Sequence, residues 1–267
     1  MVKRITMVQK LFQELATIPN VQAIALGGSR AGDNFDINSD YDVYVYCQGQ
    51  IPHQTRQQIL QKYCKYMEIG NRFWESEDNC TLSNGIDIDI LYRNLDDFVN
   101  QVAWVVEKFN SCNGYTTCMW HNLLTCKIVY DKQGLLANAK KRFSVDYPPQ
   151  LRANIIDNNT KLLYRYLPNY LHQIQKAQGR SDTVSVCHRT AAFMESYFDV
   201  LFAYNNLTHP GEKRLLTLCK QWCKVLPHNF EQNIDGVYQN LFTNPGQANH
   251  YLNQMVAELQ LMLQDNE

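Results

Sequence analysis

A glycine-rich turn followed by two closely spaced aspartates is the feature that most constrains this chain. An apolar run from Val21 to Leu26 stops at Gly27-Gly28-Ser29, and Asp40-Tyr41-Asp42 then opens a second apolar run. Strand residues two apart project to the same face, so Asp40 and Asp42 present their carboxylates side by side. An unpaired carboxylate at the head of an apolar strand would cost stability. Because Mg²⁺ takes oxygen ligands and bridges carboxylates to phosphates, the pair predicts a metal site.

The Gly-Gly-Ser turn predicts the phosphate-binding half of the same site. Glycine reaches φ > 0 and lets the backbone approach a phosphate, because no Cβ intervenes. The Ser29 hydroxyl and successive amide N–H groups can complete an anion-binding nest. We therefore expect Gly28 and Ser29 to bind the phosphates of a nucleotide. Arg30 is a further candidate, with an exposed turn arginine as the alternative.

These residues resemble the nucleotidyltransferases of the DNA polymerase β superfamily, in which a Gly-Ser turn precedes Asp-x-Asp at this distance. That family carries a third carboxylate on a later strand, and Gly85–Arg93 contains both Asp87 and Asp89. The family's third carboxylate stands before an apolar pair and an aromatic, as in Asp89-Ile90-Leu91-Tyr92. The resemblance therefore implies Asp89 as the third metal ligand and proton acceptor, with Asp87 as the alternative.

Two later segments, Lys127–Gly134 and His209–Arg214, resemble the small-molecule branch of the superfamily, which includes aminoglycoside and lincosamide adenylyltransferases. The resemblance implies two Mg²⁺ ions bound with ATP, Lys213 on the triphosphate, and transfer of NMP, AMP in the expected case, to a hydroxyl of a small, antibiotic-like molecule. Five tyrosines of the second half favour a weakly charged acceptor over a polycationic one: Tyr164, Tyr166, Tyr170, Tyr197 and Tyr204.

Two other functions stay open at this point. One is a protein-directed AMP transferase of the antitoxin type, and the other is a catalytically idle nucleotide-binding module, which would lack one of the carboxylates. Glu75, Glu77 and Asp78 cluster beside Trp74 and are interpreted as a charged loop. One of these three acids could instead bind the acceptor or act as a base.

Hydrophobic periodicity predicts an α+β fold in two parts. The resemblance implies that residues 1–145 form a polymerase β-like nucleotidyltransferase domain with a mixed sheet. Helical spacing predicts an all-α helical bundle domain over 150–267, and we expect the acceptor in a cleft between the two. In the first part we predict strands over 21–26, 41–46, 86–92 and 127–130, a loop over 33–39, a helix over 52–69 and a short strand at Phe73-Trp74. In the second part we predict four to five helices, with Pro168 kinking or splitting the first.

Composition narrows the partners. Hydrophobic residues make up 45% of the 267 residues and charged residues 19%, which is typical of a folded protein. The net charge of −1, with no long basic stretch, disfavours a nucleic-acid partner. No apolar run reaches the length of a membrane span or a signal peptide, so we predict a cytoplasmic protein. The nine cysteines are odd in number and lack Cys-x-x-Cys, so we predict buried free thiols.

Overall fold

This computed structural model describes residues 6–32, 39–73 and 75–264 of the chain. The chain divides into a first unit, Met1–Ala103 with Asn122–Val145, and a second unit, Trp104–His121 with Asp146–Glu267. The functional division into residues 1–145 and 150–267 stays a prediction. Among the described residues, no helix is both long enough and apolar enough to cross a membrane.

A six-stranded mixed sheet is the core of the first unit. Its strands are Val21–Leu26 (β1), Tyr41–Cys47 (β2), Cys64–Asn71 (β3), Glu77–Leu82 (β4), Asp87–Arg93 (β5) and Lys127–Asp131 (β6). The strand order is β3-β4-β5-β2-β1-β6. The β2–β5 pair is parallel and the other neighbours are antiparallel, so the predicted mixed sheet is confirmed.

One face of the sheet is covered by two helices, Met7–Ala16 (α1) and His53–Leu60 (α2). A capping box starts α1, since Thr6 and Gln9 each bond the other's backbone N–H through their side chains. Val43 of β2 and Ile88 of β5 pack against α1 residues such as Leu11, and all three are fully buried. Because strand side chains alternate, the residues next to Val43 in β2 and next to Ile88 in β5 face the other side of the sheet.

Three further helices occur before the second unit's main body: Leu95–Val106 (α3), Cys118–Thr125 (α4) and Leu135–Arg142 (α5). The Asn94 side chain caps α3 by accepting from the Asp97 N–H at 3.0 Å, as a helix N-cap does.

The predicted helix over 52–69 is wrong beyond Leu60, because residues 64–71 form β3. Met67 and Ile69 pack on the apolar core, whereas Tyr66 is 56% exposed, so the segment alternates as an edge strand. Phe73 lies in a bend instead of the predicted short strand. Trp74 and residues 33–38 of the predicted loop lie outside the described residues.

The second unit is helical after residue 148. Its helices are Pro149–Thr160 (α6), Tyr170–Gly179 (α7), Thr183–Tyr204 (α8), Leu215–Trp222 (α9), Phe230–Asn240 (α10) and Pro245–Gln264 (α11). A π-helical turn, Lys161–Arg165, and a cis Leu167–Pro168 bond separate α6 from α7, which confirms the predicted interruption at Pro168. Six α-helices follow residue 148 in the described part of the chain, against the four to five predicted. The predicted α+β fold class is confirmed.

The nine cysteines are all free thiols. Cys47 and Cys126 are buried as predicted, but Cys112 and Cys187 are exposed. The predicted burial is wrong for this exposed pair. Cys187 follows Val186 on α8 and faces away from the core that Val186 enters.

Candidate active site

Three aspartates meet on the face of the sheet opposite α1 and α2. In the parallel β2–β5 pair, Asp42 stands directly opposite Asp89, and Asp40 immediately precedes β2. One carboxylate oxygen from each of the three lies within 4.8 Å of the others. Asp40 is exposed and the other two are half-buried, so a ligand can reach them. Three convergent carboxylates suit Mg²⁺, which prefers oxygen ligands, and the donor set therefore fits the implied metal.

Asp89 and Asp87 differ in their surroundings, although they share a strand face. Asp87 is exposed, stands two residues earlier and accepts a hydrogen bond from Thr81 Oγ1 at 2.8 Å. Only Asp89 belongs to the cluster of three carboxylates found among the described residues. The geometry thus favours Asp89 over Asp87, and its role as metal ligand stays a prediction.

The Gly-Gly-Ser turn packs directly on the aspartate strand. Gly28 has φ +55°, and a Cβ built on it would lie 1.8 Å from Asp42 Oδ2. A Cβ on Gly27 would lie 2.3 Å from Tyr44 Cε2, and the Gly27 N–H donates to the Asp42 carbonyl at 2.8 Å. Both positions therefore require glycine. These contacts fix the turn relative to Asp42.

Ser29 carries a hydroxyl that the described protein atoms leave unused. The residue lies in the 3₁₀ turn Gly28–Ala31, and its Oγ is buried with no hydrogen-bond partner in the described part of the chain. Buried hydroxyls are normally hydrogen-bonded, so the Ser29 hydroxyl keeps hydrogen-bonding capacity that a ligand could use. Its contact with a phosphate, like that of Gly28, stays a prediction.

Arg30 has a positioning role. It is 7% exposed, and its Nε donates to the Ser39 carbonyl at 2.7 Å and the Asp40 carbonyl at 3.1 Å. Its guanidinium lies 3.8 Å from the centre of the Tyr41 ring. Arg30 therefore fixes the backbone that carries Asp40. The predicted contact between Arg30 and the nucleotide stays a prediction.

A hydrogen-bond chain that the sequence did not predict leads to Asp89. Asn79 Nδ2 donates to Asp89 Oδ1 at 2.8 Å, and Asn71 Nδ2 donates to Asn79 Oδ1 at 2.7 Å and to Glu68 Oε2 at 3.1 Å. The chain crosses from the edge strand β3 through β4 to β5. It holds one carboxylate oxygen of Asp89 and leaves Oδ2 for another partner. The sequence signal for this chain was the polar pair Glu77 and Asn79, two residues apart. The pair indicates one strand face only if residues 77–82 are first recognised as a strand.

The acidic segment 75–78 is not the charged loop that we predicted, because Glu77 and Asp78 are buried residues of β4. Asp78 faces the helix-covered side. Glu77 stands opposite Leu91, on the same face as Asp89, and burial together with the Asp89 charge raises the pKa of Glu77. Glu75 forms an ion pair with Arg93 at 2.6 and 2.7 Å.

Arg93 stabilises the Gly-Gly-Ser turn indirectly, through Tyr44. Its guanidinium lies 4.2 Å from the centre of the Tyr44 ring, and its Nη1 donates to Asn122 Oδ1 at 3.2 Å. Asn122 Nδ2 in turn donates to the Tyr44 hydroxyl at 2.9 Å. Because Gly27 packs against Tyr44, a network that fixes the Tyr44 ring also fixes the position of the Gly-Gly-Ser turn.

Lys213 belongs to the second unit, where it is exposed in the turn before α9. Its predicted contact with the triphosphate stays a prediction.

No protein-family model matches this chain, and no curated protein matches it. Among solved structures, the chain is similar to a nucleotidyltransferase-like protein from Exiguobacterium sibiricum, with 11% identity, 97% of this chain and 73% of that chain covered, and a TM-score of 0.43. An aminoglycoside 6-adenyltransferase from Bacillus subtilis has 8% identity, 97% and 90% coverage, and a TM-score of 0.30. A spectinomycin adenyltransferase from Enterococcus faecialis, solved with ATP and spectinomycin, has 16% identity, 95% and 97% coverage, and a TM-score of 0.32.

At these identities and TM-scores, the likeness does not carry the activities of those proteins over to this chain. The resemblance predicted from the sequence is confirmed at the level of the fold by this chain's own geometry. A mixed sheet places an Asp-x-Asp strand parallel to the strand of the third carboxylate, with the Gly-Gly-Ser turn packed against the first.

Proposed function

We propose that this chain is a metal-dependent nucleotidyltransferase that moves AMP from ATP to a hydroxyl of a small molecule. The observation that carries the proposal is the convergence of Asp40, Asp42 and Asp89 within 4.8 Å, beside the turn at Gly28, which packs against Asp42. Mutually repelling carboxylates held this close favour a cation between them. A catalytically idle module would not need all three.

The residues of the chain divide the work of transfer between binding, orientation and proton removal. Two Mg²⁺ ions held by the triad would supply Lewis-acid stabilisation of the charge that develops on the phosphates. The Gly28 backbone and the Ser29 hydroxyl would bind the triphosphate. The acceptor oxygen would bond to the α-phosphorus as the bond to the pyrophosphate oxygen breaks. Asp89 would accept the acceptor's hydroxyl proton on Oδ2, while Asn79 holds Oδ1.

The acidic face of the sheet favours an acceptor that carries amino groups. Residues opposite one another in antiparallel strands share a face, so Glu68 and Glu77 stand on the same face as Asp87 and Asp89. A basic acceptor would be attracted to these charges. The earlier preference for a weakly charged acceptor stays a prediction, since two of its five tyrosines belong to the core whereas Tyr166 is 59% exposed. Tyr197 is fully buried, and Tyr204 is 7% exposed.

Isothermal titration with Mg·ATP tests the nucleotide half of the proposal. We expect wild-type protein to bind Mg·ATP and Asp42→Asn, which keeps the side-chain shape, to lose most of that affinity while keeping its melting temperature. Equal affinities in the two proteins would refute the metal assignment.

The transfer half is tested with ATP labelled at the α-phosphate and paired acceptors of similar size, one set of amino sugars and one of neutral sugars. We expect label transfer and pyrophosphate release with the amino-sugar set. Transfer to a protein acceptor instead would favour the antitoxin-type alternative. We further propose, on the sequence argument above, that the protein acts in the cytoplasm.

A further inference from the structure

We propose that the first unit contains a second ligand site, a cationic pocket that binds the phosphate group of a small molecule at the end of the sheet opposite the triad. The proposal does not depend on nucleotidyl transfer. In the β2–β5 register, Asp42 pairs with Asp89, and Tyr46 pairs with Arg93 four residues later. Four residues of strand separate the two ends by about 13 Å. The pocket is therefore distinct from the carboxylate site.

The pocket is a cavity of about 290 Å³ between the first turn of α2, the end of the β3–β4 hairpin and the end of β5. That volume is near the lower limit of the roughly 300–1,000 Å³ of small-ligand sites. Every charged or titratable lining group other than Cys47 and Tyr92 is a cation or a histidine, namely Arg56, Arg72, Arg93 and His53. No Asp or Glu is among the described lining residues.

Arg56 is the rigidly held cation of the pocket. Its side chain is 4% exposed and pairs with the fully buried Asp78, Nη1 to Oδ1, at 2.6 Å. Asp78 also accepts from the Gly70 N–H and the Tyr92 hydroxyl, both at 2.8 Å, which fixes its position. Arginine has five N–H donors; the Nε of Arg56 is itself buried and has no hydrogen-bond partner among the described residues. A rigid buried guanidinium with unused donor capacity is suited to an oxyanion.

The charge balance leaves the pocket positive. Asp78 compensates Arg56, and Glu75 compensates Arg93. Arg72 is exposed, and the structure gives it no ion-pair partner in the ranges that it describes. One uncompensated positive charge therefore remains at the pocket.

The start of α2 adds N–H donors on the same side. The N-cap residue of α2 is Pro52, which makes no side-chain cap bond, and Gln50, Ile51 and His53 line the cavity. The first N–H groups of a helix lack partners within the helix and attract anions. Ser76 and Asn94 also line the cavity. Arginine forks, hydroxyls and a helix start together are the donor set of a phosphate site.

The test is a titration of inorganic phosphate into the full chain, in EDTA and at constant ionic strength, followed by calorimetry. EDTA removes metal, so the triad cannot hold phosphate through an ion. We expect the wild type to bind, and Arg72→Gln to bind at least fivefold more weakly, because an exposed cation is lost without disturbing the core. Arg56→Lys keeps the charge but loses the fork, and it should weaken binding as well.

Two matched variants decide where the phosphate binds. Lys10→Gln removes one exposed charge from α1, away from the pocket, and should leave the affinity unchanged. Ser29→Ala alters the predicted triphosphate turn and should also leave it unchanged. No binding by the wild type at millimolar phosphate would overturn the proposal. An equal loss in Lys10→Gln, or a loss in Ser29→Ala but not in Arg72→Gln, would overturn it too. A glycerol phosphate titration then shows whether the pocket admits an ester.

Discussion

Replacement of Gly28 by alanine tests whether the Gly-Gly-Ser turn and the carboxylates form one unit. A Cβ on Gly28 would lie 1.8 Å from Asp42 Oδ2, a distance that real Cβ atoms do not adopt. To reach even a tight contact of 3.0 Å, the carboxylate oxygen must move by about 1.2 Å. Mg²⁺ demands near-ideal geometry at about 2.0–2.1 Å, so a shift of this size removes Asp42 from the ligand set.

Two separate losses are expected in Gly28→Ala. The φ of +55° is strained for alanine, which costs about 1–2 kcal/mol of stability. Loss of one metal ligand should weaken Mg·ATP binding at least about tenfold, equivalent to about 1.4 kcal/mol. The assays are the melting temperature and isothermal titration with Mg·ATP.

Gly134→Ala is the matched control. Gly134 lies in the same unit with φ +70°, but the nearest atom to a Cβ there is Asn138 Nδ2 at 4.0 Å. Gly134→Ala introduces a similar backbone strain but no steric clash of the new Cβ. It should therefore lose stability and keep its Mg·ATP affinity. If Gly28→Ala binds Mg·ATP as well as Gly134→Ala does, the turn does not constrain Asp42 and the reasoning is refuted.

Four further predictions follow from individual contacts. Asp89→Asn should abolish AMP transfer and Asp87→Asn should weaken it modestly, because only Asp89 lies in the triad; transfer assays on both decide it. Asn79→Ala should lower transfer and shift its pH profile, since Asp89 Oδ1 loses its donor, with Asn79→Gln restoring part of the rate. Ser29→Ala should weaken Mg·ATP binding severalfold without lowering the melting temperature, because Oγ makes no bond in the described chain. Finally, Asp199→Asn should flatten the dependence of the melting temperature on pH.

The sign of the Asp199 effect follows from its burial. Asp199 is 1% exposed, and burial raises its pKa from 3.8 to about 7, against hydrogen bonds from Thr116 and Asn159 that lower it. Between those values the folded chain holds a proton that the unfolded chain has released, so stability falls as the pH rises from about 4 to about 7. If the melting temperature falls equally with rising pH in the wild type and in Asp199→Asn across that range, this assignment is contradicted. For the other three, unchanged transfer in Asp89→Asn, an unaltered pH profile in Asn79→Ala, or unchanged affinity in Ser29→Ala would be the contrary result.

Local pattern was enough to predict the centre of the candidate site. The spacing of Gly28, Ser29, Asp40 and Asp42 depends on one turn and one strand start, and period-two alternation places the two carboxylates on one face without knowledge of the partner strands. The fold class followed in the same way, because strand patterns end near Pro148 and helical spacing continues to the last helix.

Pairing between distant strands decided the rest. Asp87 and Asp89 have the same local pattern, and only the β2–β5 register sets Asp89 opposite Asp42. The β3–β4 hairpin stayed hidden because an edge strand with one polar face resembles an irregular helix in sequence, and with it Asn79 was missed. Arg30 reads as an exposed turn arginine, yet it is buried on the Ser39 and Asp40 carbonyls. Register and burial arise from contacts between residues far apart in sequence, and a local pattern does not contain them.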